Sequence, residues 1–341
     1  MWMFVAIVGG AILAVIGFGV VVWLALYLRW LWALGPQGRA WARLGPQPVV
    51  ARASFVPGAG PLRHPDATSL ADRMATLGYQ PIGTFDVPEM TGMRIWGGCH
   101  GDGSVAIVYD HVAMQPWFDL VRFHADSTDA VTSALHHDPR QVPPGSSLVA
   151  DPSLEPQAAR ALLSAIPLRT GALAVDASNF GRVLAEAYAR GMDHMLRLEA
   201  PGLDEIEAVG RRSGARLKLS AAQQLEVVER VRRDRMVALE DALLDRFRAS
   251  GQVSAHEWRA VEDRMVVVHG RMSDSDALSL VLAPGDLDNT DPAVMAVAQA
   301  RAGDPMGLFE GINALLPETR AWRALGGVDL PVAGRVYAMP D

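Results

Sequence analysis

The residues best equipped for chemistry fall between positions 99 and 138: Cys99, His100, Asp102, Asp110, His111, His124, His136, His137 and Asp138. Thiolate, imidazole and carboxylate are the ligands that zinc and similar metals take, and the same groups move protons in acid–base catalysis. A metal centre drawn from His100, Asp102, His111 and His124 needs strand ends to bring them together, because no CxxC or HxxxH spacing fixes any pair beforehand. His136 and His137 point to opposite sides of an extended chain. The competing reading places these groups at hairpin ends, in water or bonded to turns. It is the preferred one, so no catalytic residue and no cofactor is assigned.

Other catalytic signatures fail for physical reasons. Lys218 is the only lysine and does not close a Gly-x-x-x-x-Gly-Lys loop, which excludes a phosphate-cradling P-loop. His256-Glu257 lacks the second His that a helical zinc site needs, and Gly-x-Ser-x-Gly does not occur. Gly58-Ala59-Gly60 runs into Pro61, and Gly101-Asp102-Gly103 leads into a β-branched run; neither can open a dinucleotide-binding helix. Trp117 and Trp258 read as core or interface anchors.

The elements that would hold these residues are legible. Leu70, Met74 and Leu77 share one helical face, which Gly78 ends. Strands are expected at 80–87, 92–99, 104–113 and 117–124, with a fifth near 130–135, and Gly101-Asp102-Gly103 makes the tight turn between two of them. After Pro143-Pro144-Gly145 the composition turns helical, with helices expected at 156–166, 179–198, 204–213, 221–249 and 255–272. Ser220 with Gln223, and Ser254 with Glu257, form capping boxes. Asp291-Pro292 and Asp304-Pro305 have the form of helix starts, and Arg335-Val336-Tyr337 that of a short strand.

The first residues point to a membrane. Phe4 to Leu28 is apolar without a charge until Arg29, long enough as a helix to cross a hydrocarbon core of roughly 30 Å. Tyr27, Arg29, Trp30 and Trp32 suit the headgroup region, with Arg39, Trp41 and Arg43 continuing along the leaflet. Ala6, Gly10, Ala14 and Gly17 form a small-residue stripe where a second membrane helix can pack. No acid precedes Asp66, so the basic flank places the body in the cytoplasm and the N-terminus outside. The net charge of -7 therefore belongs to the distal region and argues against nucleic-acid binding. One lysine among so many arginines marks a GC-rich, bacterial coding sequence, and a lone Cys99 rules out an intrachain disulfide.

The expected architecture is a single N-terminal transmembrane helix (1–34), a Pro/Gly-rich linker (35–66) and an α+β region in which a helix packs on a short antiparallel meander (67–142). A helix-rich domain (143–284) and a C-terminal stretch of short helices and irregular chain (285–341) complete it. The function expected from this is a non-enzymatic, membrane-tethered interaction protein of the bacterial inner membrane, an accessory or scaffold subunit. Its partners would be the lipid bilayer and other integral membrane proteins, with homo-oligomerisation left open. The alternatives are a membrane-anchored, metal-dependent hydrolase using the His/Asp cluster, and a small-ligand sensor.

Overall fold

The structure is a computed structural model that describes residues 49–339, apart from 59, 135–138, 199–202, 204–219 and 285–286. Seven strands form one sheet in chain order: β1 (Val56–Pro57), β2 (Gln80–Asp86), β3 (Met93–Cys99), β4 (Val105–His111), β5 (Trp117–Phe123), β6 (Thr128–Thr132) and β7 (Ser147–Ala150). All neighbours are antiparallel except β6 and β7, so the sheet is mixed. Helices α1 (Pro65–Thr76) and α2 (Pro156–Ala165) cover one face and α3 (Phe180–Arg197) the other.

Strand alternation explains why both faces can be covered. In β4, Ala106 and Val108 pack with Met74 of α1 and Leu163 of α2, while Val105 and Ile107 pack with Phe180 and Val183 of α3. A strand buried on both sides reads as a continuous apolar run, as Val105 to Tyr109 does. Gly97 of β3 leaves room for the Phe180 ring, since a Cβ there would come within 2.7 Å of it.

The C-terminal part repeats the layering around a smaller sheet. Strands β8 (Met265–His269), β9 (Arg323–Val328) and β10 (Gly334–Ala338) pair antiparallel, with β10 central. On one face lies α4 (Ala221–Ala249), whose Leu239, Leu243 and Phe247 meet Val267 and Val336. After α4 comes the short α5 (Ala255–Val261). On the other face α6 (Asp274–Val281), α7 (Pro292–Ala300) and α8 (Pro305–Asn313) gather around Phe309, Ile312, Trp322 and Tyr337. Ser220 and Ser254 close the capping boxes at the starts of α4 and α5, and Asp291 and Asp304 cap α7 and α8.

Three expectations need correction. The meander is not short: β1 and the parallel β7 extend it to a seven-stranded mixed sheet, and a second sheet joins β8 of the helix-rich region to β9 and β10 of the C-terminal stretch. The helix expected over 255–272 ends at Val261, because Val266, Val267 and Val268 prefer the strand that pairs with β10. Finally, no helix among the described residues is long and apolar enough to cross a membrane. The longest, α4, has 29 residues but carries Glu226, Glu229, Arg230, Arg232 and Arg233 in its first half. The transmembrane architecture, the inner-membrane address and the integral-membrane partners are thus not what the structure supports; it supports an α+β fold. The anchor reading and its residues, Ala6 to Arg43, lie outside the described residues, as does the helix expected at 204–213.

One buried carboxylate ties the two layered units together. Asp193 of α3 is 3% exposed and accepts Arg52 Nη2 at 2.7 Å, with Arg246 of α4 on its other oxygen. Arg52 also reaches Asp245 at 2.9 Å. Asp193→Ala removes the buried acceptor of charge-assisted hydrogen bonds from two arginines and should destabilise the chain by about 3 kcal/mol. Urea denaturation will measure this. Breaking the exposed Arg182–Glu186 pair (2.8 Å) by Arg182→Ala should leave the midpoint nearly unmoved.

Candidate functional site

Between the sheet and α3 the packing leaves a cavity of about 380 Å³. The alternation that points Val121 and Phe123 toward α3 also points Trp117 and Asp119 the same way. Ile95 of β3, Tyr109 of β4, Thr132 of β6 and Leu148 of β7 complete the wall on the sheet side. Leu184 and Tyr188, one turn apart on α3, form the opposite wall, with Phe55, Val87, Met90 and Met93 at the side.

The segments around it are pinned. Tyr188 donates its hydroxyl to the Val50 carbonyl at 2.7 Å. Ser54 donates both its amide (3.0 Å) and its hydroxyl (2.5 Å) to the Glu89 carboxylate, which fixes Phe55 against the β2–β3 turn. Gly181 lets the Phe55 backbone lie against the first turn of α3, where a Cβ would stand 2.6 Å from the carbonyl oxygen. A second compartment of about 420 Å³, lined by Thr128, Ala130, Ser146, Gly191 and Met195, shares Leu148 and Tyr188 with the first.

Within this apolar wall sits an ionisable pair. Tyr109 faces Trp117 in register, their rings stacked at 4.7 Å and 6°. The Tyr109 hydroxyl donates to Asp119 Oδ2 at 2.9 Å. Asp119 Oδ1 has no solvent contact and makes no hydrogen bond. Burial pushes the Asp119 carboxyl above its ordinary value of 3.8, and the nearby Thr132 and Tyr109 hydroxyls offset this only in part. Burial and then the Asp119 charge hold the Tyr109 proton on far more firmly than usual, so Tyr109 acts as a donor. Burial also raises Tyr188, to about 12. The arrangement can therefore offer a ligand an acceptor in an apolar, aromatic setting, or hold a proton at Asp119.

A larger concavity of about 950 Å³ lies between the end of α3, α4 and α6. Several of its charged groups are engaged within the fold: Arg232 pairs with Glu229 at 3.0 Å, and Arg271 donates to the carbonyls of Leu196 and Leu198 at 3.0 and 2.6 Å. No orphaned buried polar atom lies among its lining residues, so the smaller cavity is the better candidate.

The residues singled out from sequence do not converge. His100 contacts Asp102 at 2.9 Å, and Asp102 accepts the Ser104 amide and hydroxyl at 2.9 and 2.6 Å. Burial pushes the Asp102 carboxyl up, but these bonds and His100 outweigh it and hold it at about 2. The cluster shapes the β3–β4 turn. His111 stands at the other end of β4, opposite Met93 and roughly 20 Å of strand away. Its Nδ1 accepts the Ala113 amide at 3.2 Å, and burial lowers its pKa. His124 is buried against Asp129, Nε2 to Oδ2 at 3.0 Å, and Asp129 also takes the Ser147 hydroxyl. Among the described residues no group of three His, Cys, Asp or Glu side chains can hold a metal ion, which overturns the metal-hydrolase reading. His136, His137 and Asp138 lie outside the described residues.

No family model, no curated protein and no solved structure matches the chain.

The sequence reading passed over Asp119, Tyr109, Tyr188 and Phe55. The signal was there: in Trp117-Phe118-Asp119-Leu120-Val121, an acid alternates in phase with Trp117, Val121 and Phe123. What alternation does not reveal is the gap above it.

Asp119 holds its proton more tightly in the folded chain than in the unfolded one. The native state therefore carries an extra proton between pH 3.8 and the raised folded value. The stability this contributes is fully present below 3.8 and is lost as pH rises through the folded value. Asp119→Asn cannot ionise and should escape that loss. Urea midpoints from acid to neutral pH should thus shift progressively in favour of the variant. A difference that does not change with pH would mean that Asp119 titrates alike in both states.

Proposed function

We propose that this protein binds a small organic molecule in the cavity between the seven-stranded sheet and α3, with Asp119 and Tyr109 as the polar anchor. The observation that carries this is the Asp119 carboxyl, which lines an otherwise largely apolar cavity and has one oxygen, Oδ1, without a hydrogen bond from the protein. Leaving such a group unsatisfied costs about 1–3 kcal/mol, which a bound donor would recover. Binding sites combine these traits: an apolar concavity of roughly 300–1,000 Å³ with a few convergent polar groups. The cavity of about 380 Å³ falls within that range, and its neighbour of about 420 Å³ offers room for a longer ligand past Tyr188. The proposal covers binding alone, without a membrane tether, a metal or a signalling output.

Aminoanthracene, a neutral aromatic amine that fluoresces in apolar surroundings, tests this directly. Saturable enhancement is expected with the parent chain. Ala134 lines the cavity, and Ala134→Phe should fill it and abolish the enhancement. Leu225→Ala, at an exposed site on α4, should change nothing. Undiminished binding by an Ala134→Phe protein whose circular dichroism matches the parent would refute the cavity as the site.

A further inference from the structure

We infer that the ligand class of this cavity is an apolar amine in its protonated form, an ammonium held against the Asp119 carboxylate inside an aromatic wall. The inference rests on the cavity being the binding site.

Charge complementarity argues for it first. No Lys, Arg or His lines the cavity, so nothing in its wall supplies a counter-charge to Asp119. The guanidiniums on neighbouring segments are engaged elsewhere: Arg52 with Asp193 and Asp245, Arg94 with Asp86 at 2.8 Å. Tyr109 contributes a neutral donor to Oδ2, and the Thr132 hydroxyl nearby is likewise neutral. An ammonium brings a full positive charge and several N–H donors to a carboxyl with one oxygen unpartnered. Because the terminal torsion of an aspartate is soft, either oxygen can turn toward the ligand.

The rest of the wall fits the same chemistry. Phe55, Tyr109, Trp117 and Tyr188 present electron-rich rings, which attract cations within about 6 Å. Met90 and Met93 add polarizable sulfur. An anionic ligand would meet Asp119 without any compensating cation. A neutral alcohol would satisfy one lone pair and bring no charge. Burial raises the Asp119 carboxyl above its ordinary value, and an ammonium beside it favours the charged form.

Displacement of aminoanthracene from the whole 341-residue chain by three ligands of one skeleton separates the cases. Phenethylamine, phenethyl alcohol and phenylacetate share a phenyl ring on a two-carbon chain and end, at neutral pH, in an ammonium, a hydroxyl and a carboxylate. The amine should bind about tenfold more tightly than the alcohol, the margin of a charge-assisted hydrogen bond over a neutral one, with phenylacetate weakest. Asp119→Asn should bring amine and alcohol together. Equal or tighter binding of the alcohol, displacement by none of the three, or an amine preference that survives Asp119→Asn would each overturn the inference. All three outcomes leave the cavity standing as a site; what counts against that is failure of aminoanthracene to bind the parent chain, or its undiminished binding to Ala134→Phe.

Discussion

The fold depends on how the end of α3 is held. Asp193 sits on α3 with almost no solvent contact, yet three chain segments meet on it: the 49–55 stretch through Arg52, α3 itself, and α4 through Arg246. A carboxylate in that position is tolerated only because both oxygens are matched by guanidinium donors. A few residues on, Arg271 and Arg235 donate to the last carbonyls of α3, groups that the helix cannot satisfy itself. Positive charge at a helix C-terminus is also where the macrodipole favours it. α3 is thereby a shared beam. Its first turns belong to the core of the seven-stranded sheet, and its last turns to the unit built on the three-stranded one.

That dual attachment bears on the cavity. Phe180, Val183 and Leu184 pack against Phe85, Ile95 and Phe123, so the start of α3 lies close on the sheet. Farther along, α3 packs with Ala51 and α4, and the sheet strands opposite offer Asp119, Thr132 and Leu148 to a space that the helix does not fill. A carboxyl on so apolar a wall is uncommon, because a buried polar group costs free energy unless it is hydrogen-bonded. The gap coincides with the one face position in β5 where an acid interrupts the apolar alternation.

Much of the secondary structure was legible because local chemistry sets it. The start of α4 follows from the Ser220 capping box, and the β3–β4 turn from Gly101-Asp102-Gly103. β2 to β5 fall within a residue or two of their expected positions, since turn residues bracket strong β-formers. Legibility failed where the signal was composite. Val266 to Val268 follow a helical stretch with no Gly or Pro between, so the periodicity of α5 was carried too far. Only the pairing with β10 shows a strand there. β1 has two residues and β7 four, too short for an alternation to register.

The candidate site divides the same way. By itself the sequence determined that β5 carries Trp117 and Asp119 on the same side as Val121, and that Tyr109 shares a strand face with Ile107, because side-chain direction in a strand has period two. It also determined that the histidines have no ligand spacing. Tertiary structure alone decided the rest: that Tyr109 meets Asp119 across two strands, that Tyr188 and Phe55 close over them, and that His100 and His111 stand at opposite ends of the sheet. The physical reason is that burial and distance are properties of neighbours far apart in the chain. A carboxyl in water and a carboxyl in an apolar cavity are spelled with the same residue, and only the packing around Asp119 makes it the second.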